Sequence, residues 1–302
     1  MPPEEASLAN DRGNTAKDAR LFAEAEAEYL RALELAPDFE APWFNLGVLY
    51  KWQTRWPEAR RCVERSLELA PVDNQGALWN LGIVATALGD WETARRAWRD
   101  FGIELPPGTG PIDMELGPTP IRMKVEASEV VWCRRIDPAR ALVRSIPLPS
   151  SGRRYGDLLL HDGSPAGKRL LAGHEVSVFD ELTLLAPSEF HTYVVQVSAP
   201  TEVAMEELLR AFGEARIPAE DWTHSVRMIC KTCSEGRPHA HDHEPPEPEW
   251  KSEREVGFAA RSAAPALSVL EKWRRGRGLL DRFRNRRAFG APSCAVEGAA
   301  SA

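Results

Sequence analysis

The rhythm of apolar positions changes near residue 121. Before that point whole blocks return: LELAPDFE at Leu33–Glu40 recurs as LELAPVDN at Leu67–Asn74, and FNLGVLY at Phe44 recurs as WNLGIVA at Trp79. Pro37 and Pro71 stand 34 residues apart, whereas Phe44 and Trp79 stand 35 apart, so the last unit carries one extra residue. A period of this length is that of a helix–turn–helix unit, and repetition predicts an array of helical hairpins. Gly47 and Gly82 fall where the two helices of a hairpin approach closely, and Ala59 and Ala94 are the small residues opposite them. Each hairpin alone leaves an apolar face uncovered, so the array gains its stability by stacking.

From Ile121 the pattern turns to short β-like runs. RMKVEASEVVWCRRI and ALVRSIPL flank a DPAR turn and predict an antiparallel hairpin. YGDLLLHDG reads as a strand ending in an Asp-Gly turn, and HEVSVFDELTLL and HTYVVQVS as two further strands. In TEVAMEELLRAFGEARI, Thr201 is placed to cap a helix whose Val203, Leu208, Leu209 and Phe212 form one stripe. HSVRMICK at His224–Lys231 reads as a buried strand after it. The expected fold is α + β: an all-α hairpin array followed by a mostly antiparallel sheet with a packed helix. The segments are 1–5 disordered, 6–105 array, 106–120 linker around PPGTGP, 121–243 α+β domain, 244–262 acidic Pro-rich linker and 263–302 basic tail.

Within the middle unit Trp43, Leu46, Gly47, Tyr50, Ala59, Val63, Ser66 and Pro71 fall at the signature places of the tetratricopeptide repeat, and residues 6–105 resemble that family over three units. The first unit matches at Gly13, Ala25, Tyr29, Ala32 and Pro37, with Arg12 and Ala9 where Leu and Trp stand in the pattern. The third matches at Leu81, Gly82, Gly89, Asp90, Trp91, Ala94 and Trp98. The resemblance implies that the first helices of the hairpins form a surface for a peptide or partner segment. Here that surface holds Asn14, Asn45, Val48, Lys51, Trp52, Trp79 and Ile83. Members that grip a terminal carboxylate use asparagines with basic residues; Asn14 and Asn45 fit two such places, but Gln75 and Trp79 stand at two basic ones. The alternative role for Trp52 and Trp79 is packing between hairpins.

Composition narrows the class. With 43% hydrophobic and 27% charged residues among 302, the chain is of soluble globular type. The acidic start MPPEEASLAN lacks secretory character and no run approaches a membrane span, so a cytoplasmic monomer is expected. The net charge of −7 conceals an asymmetry. Residues 261–290 carry nine Arg or Lys against Glu271 and Asp281, a balance of +7 that leaves −14 elsewhere. Phosphate is repelled by such a body, and only the tail suits nucleic acid or an anionic membrane. In the tail Leu267, Leu270, Trp273, Leu280 and Phe283 are spaced as an amphipathic helix.

Candidate chemistry concentrates in CKTCSEGRPHAHDHE at Cys230–Glu244. Cys230 and Cys233 have the spacing at which two thiolates reach one tetrahedral ion, and His239, His241 and His243 alternate so that one or two complete a structural zinc site. A redox pair needs a helix beginning at the first cysteine, and SEGRP breaks one. The bland alternative is a weakly metal-sequestering tract with the cysteines as a small apolar pair. GSPAGKR at Gly163–Arg169 looks like a phosphate loop, yet it is one residue short and supplies Arg169 where a hydroxyl is required. His161, Asp162, His174 and Asp180 are isolated acid–base candidates. The reading is therefore a non-enzymatic interaction protein with a zinc-stabilised second domain, against an enzyme or ligand sensor in residues 121–243.

Overall fold

The structure is a computed structural model that describes residues 2–72, 74–123, 129–171, 173–223 and 250–277. Six helices come first: α1 (Glu4–Asp18), α2 (Phe22–Leu35), α3 (Glu40–Trp52), α4 (Trp56–Leu69), α5 (Gln75–Leu88) and α6 (Trp91–Asp100). They pair as three hairpins, and one contact recurs in each. A side chain on Gly13 would run into the Tyr29 ring, one on Gly47 into Val63, and one on Gly82 into the Trp98 indole. Tyr29, Val63 and Trp98 are all fully buried, so the missing Cβ is what lets a large side chain of the second helix lie against the backbone of the first.

The turns repeat as well. Arg20, Thr54 and Gly89 each take a left-handed conformation at φ 61°, 60° and 70°, although only the third is the glycine that does so without steric cost. Asn74 and Asp90 cap α5 and α6 by accepting from the amides of Ala77 and Thr93. After α6 the chain is held rather than loose: Arg95 donates to the carbonyls of Pro106 and Gly110 at 2.8 Å, and Ile112 is buried.

Strands β1 (Gly117–Arg122), β2 (Val130–Arg135), β3 (Arg140–Val143), β4 (Leu158–Leu171) and β5 (His174–Ala186) close into a barrel in chain order. The β3–β4 and β4–β5 pairs are antiparallel, while β1 meets β5 in parallel at Ile121–Phe179. That parallel seam follows from an odd number of strands running alternately up and down. The DPAR turn forms as expected: the Asp137 carboxylate accepts from the amides of Ala139 and Arg140 and pairs with the Arg140 guanidinium. The Asp-Gly pair does not turn the chain. Asp162 and Gly163 lie inside β4, Gly163 at φ 73°, among register shifts that bulge the strand between Leu160 and Gly167. GSPAGKR is thus part of a strand, with no loop to cradle phosphate.

Contacts divide the chain into two units. The first holds residues 1–124, 133–142 and 158–186, the array with β1, β4, β5 and the turn between β2 and β3. The second holds 125–132, 143–157 and 187–302. In it β6 (His191–Ser198), β8 (Glu253–Ala260) and β7 (Ala219–Asp221) form a three-stranded antiparallel sheet with β8 central. Helices α7 (Glu202–Glu214) and α8 (Ala264–Arg277) share its core through Met205, Leu208, Phe212, Phe258 and Leu270. Thr201 caps α7, but Val203 is 60% exposed; Ala204 and Met205 take the core side in its place.

The fold is α + β, as the pattern implied, with the expected single sheet divided between a barrel and a three-stranded sheet. In α8 Leu270 is buried and the Trp273 indole donates to the Ala204 carbonyl, so part of the apolar stripe is already covered, while Leu267 is exposed. Leu280, Phe283 and the strand expected at 224–231 lie outside the described residues.

Candidate functional site

Helices α1, α3 and α5 present the face on which the seven partner-binding candidates were placed, and the structure divides them. At one end Lys51 is buried. Its ammonium donates to Asn80 Oδ1 at 2.7 Å and forms an ion pair with the Asp162 carboxylate of β4. Asn80 is oriented by donating its amide to the Gly76 carbonyl. Trp79 Nε1 donates to the main-chain carbonyl of the same Asp162 at 3.0 Å. Asp162 is thereby gripped by side chain and backbone together.

Apolar packing surrounds this grip. Ile83 is fully buried in one cluster with Leu160, Leu182 and Ala139, and Trp52 and Trp79 pack against it. The Trp79 ring meets Trp98 edge-on at 5.0 Å and Phe101 at 4.8 Å. A Cβ on Gly163 would strike the Trp79 ring and crowd the Pro138 carbonyl, so close approach and positive φ both require glycine there. Burial pushes the Lys51 pKa down, and the adjacent Asp162 carboxylate opposes that push.

The other end of the face is different. Asn14, Asn45 and Val48 are half-buried. Asn45 donates to Asn10 Oδ1 at 2.9 Å, and Asn14 Oδ1 accepts from the Tyr29 hydroxyl at 2.9 Å. Each amide is thus held through one of its two ends, Asn45 through its NH2 and Asn14 through its oxygen. Between α2, α3 and α4 lies a concavity of about 600 Å³ with Leu30, Trp43 and Tyr50 among its lining residues. Its charges are largely self-paired, Arg55 with Glu26 and Glu58, Arg65 with Asp38 and Glu68.

The isolated acid–base candidates do not converge. Asp180 pairs with Arg122 at 2.5 Å, and His174 is exposed opposite Leu171 at the far end of the β4–β5 hairpin. His161 stands opposite Glu181 and is fully buried, stacked on Phe179 at 5.0 Å with neither ring nitrogen hydrogen-bonded. Burial, with Arg135 nearby, holds its pKa well below the usual imidazole range. Burial likewise raises the pKa of the Cys133 thiol in the same barrel.

The pairing of Lys51 with Asp162 escaped sequence reasoning because no spacing signals a contact across 111 residues. Cys230, Cys233, His239, His241 and His243 lie outside the described residues. Among the described residues no group of three His, Cys, Asp or Glu is placed to hold a metal, and no helix is long and apolar enough to cross a membrane. Cys62 and Cys133 are buried.

No family model and no curated protein matches the chain. Solved structures similar to it include the Sgt2 TPR domain from Aspergillus fumigatus, with TM-score 0.32 and 22% identity over 33% of this chain. The match spans 66% of that domain. The Arabidopsis OM64 TPR domain is similar with TM-score 0.31 and 16% identity, over 32% of this chain and 80% of that one.

Proposed function

We propose that the protein is a non-catalytic interaction adaptor that holds an extended partner segment on the open end of the first-helix face, at Asn14, Asn45 and Val48. Lys51, Trp52, Trp79 and Ile83 serve instead as the joint that fixes β4 to the array. The division of one face into a gripped half and an open half carries this reading. A side-chain amide offers a donor and an acceptor at the spacing of a peptide group, so amides held at one end suit a partner's main chain. Val48, one turn after Asn45 on α3, adds an apolar contact.

Selection of peptides on the immobilised full chain, followed by calorimetry, tests the proposal. Asn45→Ala with Val48→Arg is expected to abolish binding of the selected peptides while lowering the melting temperature by only a few degrees. Binding that survives this pair of changes would overturn the placement of the site.

Zinc belongs to the same proposal and rests on ligand chemistry: Cys230 and Cys233 with two of His239, His241 and His243 make a tetrahedral set of thiolate and imidazole. About one zinc per chain in untagged protein is the expected result. Its loss in Cys230→Ser should cost several kcal/mol, because metal-binding energy there is folding energy.

A further inference from the structure

Successive residues of a strand point to opposite sides, and β4 uses this alternation at one critical place. Leu160 and Asp162 face the array, where Asp162 meets Lys51, Asn80 and Trp79. His161, between them, faces the barrel interior with no exposed surface and no hydrogen bond to either ring nitrogen. Facing it are Phe179 and Glu181 of β5 and Arg135 of β2, with Cys133 of β2 close to Glu181. The β4–β5 ladder shifts register on both sides of His161, so regular pairing is interrupted where the strand carries this side chain.

We propose that β4 is a pH-sensitive latch: protonation of His161 expels it from the barrel interior, and the adjoining Asp162 leaves Lys51 and Trp79, uncovering the second half of the first-helix face. This rests on the reading of that face as a binding surface, but the latch is tested on the chain alone, without a partner. An imidazolium buried beside the Arg135 guanidinium loses its hydration and is repelled, and the Glu181 carboxylate on the facing strand offsets that only in part. A segment whose ladder is already interrupted is the kind that opens locally before the rest unfolds. In the open state the Trp79 indole N–H, which donates to the Asp162 carbonyl when the latch is closed, is released to solvent.

Hydrogen exchange of the Trp79 indole and of the β4 amides, corrected for intrinsic rates between pH 8 and 5.5, reads the latch. Below the ordinary histidine value of 6.5 protection should fall about tenfold per pH unit in the parent chain. In His161→Phe, which keeps a ring against Phe179 and does not titrate, protection should not change with pH. Glu181→Gln, His174→Gln and His191→Gln should all retain the pH response of the parent. Equal pH dependence in His161→Phe and the parent would overturn the latch, as would a response abolished by Glu181→Gln.

Should His161→Phe fail to fold, the parent supplies the test through the NMR titration of its own imidazole. A ring that stays neutral in the closed form below pH 6.5 agrees with the latch. A ring that titrates normally while Trp79 remains protected refutes it. Failure of peptides to bind, with the latch intact, would remove only the function proposed above.

Discussion

Asn45 and Lys51 lie on one helix, α3, and contribute to one face, yet they have opposite fates. Asn45 stays half-buried and bonds to Asn10 of the neighbouring first helix, a contact within the array. Lys51 is 3% exposed and bonds to a strand 111 residues further along. The difference shows that two positions on one face of one helix need not share a use. What decides is which of them the rest of the chain returns to.

Removing the cation at the covered end should cost most. Lys51→Met leaves the Asp162 carboxylate buried without a counter-ion, a change of about 3–5 kcal/mol in urea denaturation. Lys51→Met combined with Asp162→Leu should recover much of that loss, because the penalty belongs to the stranded charge. If Lys51→Met costs no more than Asn45→Ala, the contrast between the two ends fails.

Next in size is Gly163→Ala, which strains a residue at φ 73° and presses on Trp79; about 1–3 kcal/mol is expected. The accompanying loss of Trp79 indole protection would separate damage at the joint from general destabilisation.

Acid sharpens the comparison further. His161 has a depressed pKa when folded and an ordinary one near 6.5 when unfolded, so below 6.5 the unfolded chain binds more protons. Its contribution is complete above 6.5 and falls by ~1.4 kcal/mol per unit as pH drops toward the folded value. Thermal midpoints across pH for the parent and His161→Phe should diverge only on the acid side. The smallest stability effect is expected for Asn45→Ala, about 0.5–1.5 kcal/mol for one part-exposed hydrogen bond. Its larger consequence should appear in peptide affinity.

Much of the fold was legible because its determinants are local. The approach of Gly13 to Tyr29, of Gly47 to Val63 and of Gly82 to Trp98 occurs within one hairpin, so the same residue types return at the same spacing. Strand β5 was visible through alternation, β6 through its β-branched and aromatic residues and the start of β4 as an apolar run, and the cap at Thr201 through its chemistry. The candidate site was only partly legible. All seven residues do belong to the first helices, but Trp79 was open to two readings, partner contact or packing, and does something else as well: it holds the backbone of Asp162. The Asp-Gly pair was misjudged as a turn because Gly163 serves a bulge, and both uses ask for the same left-handed conformation.

By itself, then, the sequence determined the hairpins, the strands and the α + β order, since each arises from periodicities and close contacts spanning one or two elements. Only the tertiary structure decided which half of the array's face is covered, that Asp162 is the group covering it, and that His161 is sealed on the opposite side of the same strand. Those outcomes depend on where a distant strand returns in space, and neither helical nor strand periodicity encodes that position.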